Sequence, residues 1–140
     1  MWVIYAFFSA LGAAGVAIVS KLGLKNLDST LATTMRSIIM ALFLLAVSFS
    51  LKKFHNFNLH TLSQRDWLLI IAAGIFGALS WLFYFLALKN GPINPVVAID
   101  RLSLVFIFVL ALLFLGEAFS TKALIGAILM VGGAILISIK

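Results

Sequence analysis

From Trp2 to Ser20 the chain runs nineteen residues without a charge, and four comparably apolar stretches follow. In hydrocarbon no water is present to pair with backbone amides, so such a stretch has to satisfy them internally. An α-helix does this, and about 20 residues cross the roughly 30 Å apolar core of a bilayer. The composition agrees: 64% of residues are hydrophobic and 10% charged, with a mean hydropathy of +1.24. Soluble domains carry about a quarter charged residues. The expected class is an all-α integral membrane protein lying in a lipid bilayer. The 140 residues are consumed by the spans, which gives a single transmembrane domain over 1-140.

Stop signals place five helices at about 2-20, 30-51, 64-88, 95-115 and 121-139. The first ends at Lys21. The second follows the capping cluster Asp28-Ser29-Thr30 and stops at Lys52-Lys53. The third opens on Ser63-Gln64-Arg65-Asp66, a capping-box pattern, and Gly91-Pro92 end it. For the fourth, Asn94 serves as N-cap and Pro95 as first helical residue, with Gly116-Glu117 at its end. The fifth starts at Ser120-Thr121. Only the connection Lys52 to Gln64 is long, and its Phe54, Phe57, Leu59 and Leu62 suit the headgroup zone.

Five spans put the two ends of the domain on opposite sides of the membrane. Lys52, Lys53, Arg65 and Lys122 then flank one face, and Lys21, Lys25, Lys89 and Lys140 the other. Arg36 and Arg101, a turn or two inside the second face, tip the balance from four against four to four against six. Orientation follows the Lys/Arg difference between short loops. So small a difference leaves both orientations open to one polypeptide; unique insertion follows instead if both shallow arginines count in full. The net charge of +6 is scattered over loops and helix ends. That distribution sets topology and offers no nucleic-acid face.

Charge within the spans is the informative exception. Arg36 in the second helix and Asp100-Arg101 in the fourth enter from the same side to similar depths, ~8 to 10 Å at 1.5 Å per residue. The third helix returns to that level with Ser80, Trp81 and Tyr84. A vestibule lined by Arg36, Trp81, Tyr84, Asp100 and Arg101 is the candidate substrate-binding site. Charges at the bilayer centre cost about 2.5 to 3.5 kcal/mol each on insertion scales, so they pair or face water and often mark transport paths. The other reading is a static clamp, with Asp100 holding one arginine while the second snorkels to phosphates.

Other chemistries find no support. Absence of cysteine excludes disulfides and thiolate sites. His55 and His60 have no carboxylate or thiol beside them to complete a metal site, and no histidine in the spans activates Ser9, Ser37 or Ser80 as a nucleophile. No enzyme activity, cofactor or metal is expected. Small residues line several faces: Ala6, Ala10, Ala13 and Ala17 on the first helix, Gly74, Gly77 and Ala78 on the third, Gly126 and Gly133 on the fifth. Such faces allow close helix approach.

TTMRSIIMALFLL in the second helix, YFLALKNGPINPVVAIDRLSLVFIFVLALLFLGE across the third and fourth, and the closing ALIGAILMVGGAILI resemble an EamA domain of the drug/metabolite transporter superfamily. The most specific block runs from Ala87-Leu88 and Gly91 to Leu113-Phe114-Leu115-Gly116-Glu117. The resemblance implies alternating-access movement of small metabolites in the cytoplasmic membrane of a bacterium or archaeon. Many such transporters carry two domains in ten helices, whereas one domain is present here. Fusing two odd-helix units inverts the second, giving the inverted repeats of transporters; a single unit would need an upside-down twin, an antiparallel homodimer. The sequence is also similar to small multidrug resistance transporters, which use a first-helix glutamate, but that helix has no acid here. The excess positive charge instead favours anionic or zwitterionic, amino-acid-like solutes. The competing expectation is a non-transporting membrane subunit paired with another EamA-type chain.

Overall fold

The computed structural model describes residues 1–25, 27–55, 62–116 and 118–139. Their regular structure is helical throughout: α1 (Trp2–Gly23), α2 (Ser29–Ser50), α3 (Gln64–Asn90), α4 (Ile93–Asp100), α5 (Ser103–Phe114) and α6 (Thr121–Ser138). Taken together as Ile93–Phe114, α4 and α5 make one span, so five helical stretches are long and apolar enough to cross a membrane. Phe57, Leu59, His60, Glu117 and Lys140, named above in loops and at an end, lie outside the described residues.

Side-chain caps fix the helix starts. Asp28 accepts hydrogen bonds from the amides of Thr30 (2.9 Å) and Leu31 (3.1 Å) at the head of α2. At α3 the box closes both ways: the Ser63 amide and hydroxyl donate to Asp66 Oδ2 at 2.9 and 2.7 Å, and the Asp66 amide donates to Ser63 Oγ at 3.2 Å. Ser120 Oγ accepts from the Ala123 amide at α6. Four orphan amides open every helix, which is why these residue types recur there. Pro92, not Asn94, is the N-cap of α4, and no side chain caps it. Pro95 therefore sits in the third helical position, where its missing N–H costs nothing because the first intrahelical bond is Val96 N to Pro92 O, 3.3 Å.

The ends of two helices need positive φ. Behind α2, Lys52 adopts φ 53°. Its amide donates to Phe49 O and the Lys53 amide donates to Ser48 O, 2.9 and 3.0 Å, which is a Schellman closure with lysine where glycine is usual. Gly116, after α5, takes φ 64° at no steric cost.

The fourth span is not one continuous helix. Between Asp100 and Ser103 the ladder shifts to three-residue spacing: Leu102 N to Ile99 O, Leu104 N to Arg101 O and Val105 N to Leu102 O, 2.9 to 3.1 Å. This tight turn lies at the charged pair, flanked by Asp100 and Ser103, whose short polar side chains compete for backbone hydrogen bonds and disfavour helix interiors.

The chain divides into two compact units, residues 23–89 (α2, α3) and residues 1–22 with 90–140 (α1, α4, α5, α6). In the first, Leu24, Ser29, Thr33, Phe85 and Leu88 are buried, Leu88 completely. Lys89 Nζ donates to Leu27 O at 3.1 Å, tying the end of α3 to the turn before α2. In the second, α4 packs along α6 and α5 touches it as well. Ala17, Ala111 and Ala134 are its buried residues. Lys21 Nζ donates to Gly91 O at 2.7 Å and joins the end of α1 to the turn before α4. Small-residue faces include Gly12, Gly15, Gly74, Gly77, Gly126 and Gly133. Beyond each glycine's own stretch of helix, no described atom lies within 4 Å of where a methyl group would stand. Among the described residues, then, no close helix approach is made at these glycines within either unit taken by itself.

Candidate functional site

A polar stripe runs down the first two turns of α2. Thr33 Oγ1 donates to Ser29 O (2.7 Å) and Ser37 Oγ to Thr33 O (2.8 Å), so these hydroxyls are satisfied by their own helix and leave no demand on a neighbour. Arg36 lies on the same side, one residue before Ser37. Its longer side chain carries the guanidinium away from the carbonyls of α2.

The side chain is instead received by aromatic rings of α3. Its guanidinium carbon stands 3.7 Å from the centre of the Trp81 ring and 5.6 Å from that of Phe85. Ring faces carry the negative part of the aromatic quadrupole, and a desolvated cation–π contact is worth up to about 2 kcal/mol. The rings brace one another: Trp81 meets Tyr84 edge to face at 5.6 Å and 88°, Trp81 meets Phe85 at 6.0 Å, and Tyr84 meets Phe85 at 6.2 Å. Spacings of three and four residues put all three on one side of α3. Phe85, 2% exposed, is the floor of this group.

A ring face can attract the cation but accepts no conventional hydrogen bond. Arg36 Nη1 is buried and has no hydrogen-bond partner among the described residues. Arg36 is thus a guanidinium held within a span, with one donor that its described neighbours leave unmet.

Arg36, Trp81 and Tyr84 are thus brought together, and Phe85 joins them without having been expected from the sequence. Its spacing, four residues after Trp81, is a signal, but an apolar residue in an apolar helix carries no contrast. Ser80 is exposed. Asp100 and Arg101 belong to the other unit. Asp100 is exposed as the last residue of α4, and Arg101 is the C-cap.

Arg101 lines a groove of about 510 Å³ within its unit. Ala14, Ala17 and Ile18 of α1 form one wall, and Ile137 of α6 contributes to another. The α4 side presents Ile93, Asn94, Val97, Ala98 and Arg101. Positions 94, 97, 98 and 101 recur every three to four residues, so one face of α4 forms this wall. Of the alanines that the sequence marks as a packing stripe on α1, Ala17 lines this groove, and Ala14 joins it from outside the stripe.

The model of the EamA-like transporter family matches residues 1–139. The chain belongs to the EamA-like transporter family. A similar protein from Sinorhizobium sp., named as an uncharacterized transporter in the cobO 3' region, is 30% identical over 138 residues, covering 99% of this chain and 96% of that protein. No solved structure matches the chain. Membership and the five apolar helices make this EamA protein a multi-pass membrane transporter.

Proposed function

We propose that this EamA transporter moves a small anionic or zwitterionic organic solute across the cytoplasmic membrane of a bacterium, by alternating access in an antiparallel homodimer. The observation that carries the solute assignment is Arg36. A guanidinium held against Trp81, with a buried N–H left over, is an anchor for a carboxylate or similar anion. A hydrogen bond to a charged group is worth about 1.5–3 kcal/mol, enough to change affinity roughly 10- to 150-fold. Trp81 and Phe85 hold the guanidinium in place, and the Tyr84 hydroxyl adds a second polar group at the same level. Asp100 and Arg101, in the other unit, are binding residues proposed from the sequence.

The homodimer rests on parity and charge. Five spans form one half of an inverted-repeat pair, and the near-even distribution of lysines and arginines between the two faces allows the same polypeptide to supply both halves. The glycine faces, open in the protomer, are suited to close contact with a second copy.

The test is a reconstituted counterflow assay run over a panel of labelled carboxylates and amino acids, chosen first by thermal-shift screening of the purified protein. Arg36→Ala is expected to abolish flux of the preferred solute while the assembly state is unchanged. Undiminished flux in that variant, with the variant folded, would sink the anchor assignment. C-terminal reporters active in each compartment should both give signal; strict single orientation would instead match a subunit that pairs with another chain.

A further inference from the structure

We infer that the α1/α4/α6 groove binds an amphipathic organic monoanion, a molecule with a single carboxylate and an apolar body, and selects it over a zwitterion of the same shape. The inference rests on the transport reading above and narrows its solute class.

The argument starts from what lines the groove. Arg101 is its single charged residue and Asn94 its single neutral polar one; the other lining side chains are aliphatic. No acidic side chain lines it among the described residues, and Asp100, although next in sequence, is not part of the wall. An ammonium group brought into this space would lose its hydration with no carboxylate to replace it, at a cost of several kcal/mol for a desolvated charge. A carboxylate finds the Arg101 fork. The polar partners therefore favour one sign of charge, and the aliphatic walls favour an apolar remainder.

Size and depth narrow the ligand further. About 510 Å³ falls in the range of small-molecule sites. The room is created by Ala14 and Ala17, one turn apart on α1, facing Val97 on α4; larger residues at either alanine would fill it. Arg101 caps α4 eight residues after Ile93, ~12 Å from the start of that helix at 1.5 Å per residue. The Arg101 side chain is exposed, so its fork is open to a carboxylate lying along the groove; a snorkelling arginine also reaches lipid phosphates, and the anionic-lipid arm of the measurement separates the two.

The decisive measurement is equilibrium binding to the purified full chain in nanodiscs of neutral phosphatidylcholine. The probes are phenylpropionate, phenylalanine and phenylpropylamine, which share one apolar body and differ in charge. Phenylpropionate is expected to raise the melting temperature saturably. Phenylalanine should need at least about tenfold more ligand, and phenylpropylamine should give no saturable shift. Arg101→Ala should weaken phenylpropionate about tenfold or more, Arg101→Lys should recover part of the loss, and Ala14→Leu should block binding by filling the groove. Equal binding of the three probes, or wild-type affinity in a folded Arg101→Ala protein, overturns the inference. So does loss of phenylpropionate binding when phosphatidylglycerol replaces part of the neutral lipid, because a lipid is then the occupant. Charge-selective binding without any counterflow defeats the transport reading alone, and counterflow without charge selection in binding defeats this inference alone.

Discussion

The guanidinium carbon of Arg36 sits 3.7 Å above the Trp81 ring, one helix supplying the cation and the next its aromatic seat. Neither α2 nor α3 alone could hold that charge in a span. Trp81→Leu is therefore expected to lower solute affinity about tenfold, from loss of a contact worth about 1–2 kcal/mol. Trp81→Phe, which keeps a smaller ring, should lose less. Counterflow titrations of the two variants against Arg36→Lys check the order.

Orientation gives a second prediction. Lys52→Gln with Lys53→Gln removes charge from one face, and Lys21→Gln, Lys25→Gln and Lys89→Gln remove it from the other. Each set should bias insertion one way and, in the homodimer reading, abolish flux when expressed alone. Co-expression of the two sets should restore flux. Activity of either set alone, with reporters confirming one orientation, would falsify the antiparallel arrangement.

Lys52 carries a backbone penalty. A non-glycine residue at φ 53° pays roughly 1 kcal/mol relative to glycine. Lys52→Gly should raise the melting temperature of the protein in detergent, whereas Lys52→Val, whose branched side chain tolerates that region worst, should lower it.

The Asp28 cap makes stability depend on pH. Its carboxyl is held below the ordinary carboxylate value, first by the hydrogen bond from the Leu31 amide; desolvation opposes this, and the Thr30 amide, Lys89 and the Thr30 side chain add to the lowering. The folded state therefore favours the ionised form, and the sign follows: stability is present above the ordinary value and is lost as pH falls through the lowered folded-state value. Asn caps about as well as Asp but does not ionise. Wild type should melt above Asp28→Asn at neutral pH, and the two should converge in acid.

What is legible in the sequence follows from where contrast is high. Caps at Asp28, Ser63 with Asp66, and Ser120 are readable because they are polar residues beside long apolar runs, and the structure shows each bond. Asn94 misleads for the same reason: its type suits a cap, but Gly91 and Pro92 end α3 so abruptly that the next helix begins two residues earlier than its polar signal. The break at Arg101–Leu102 is not legible, since helix periodicity continues through it and only the backbone bonds change spacing. Arg36 stands out as a charge, and Trp81, its ring partner, is legible with Tyr84 by level, whereas its other ring partner, Phe85, is not. The groove beside Arg101 escapes a sequence reading because it is a property of absent volume, and alanines signal close packing and empty space equally well.

The interruption of the fourth span has a geometric consequence. An α-helix advances about 100° per residue and a 3₁₀ turn about 120°, so the tight stretch overwinds the span by roughly 20° for each residue it holds. The face of α4 that carries Asn94, Val97, Ala98 and Arg101 is therefore not continued in register by α5, which begins at Ser103.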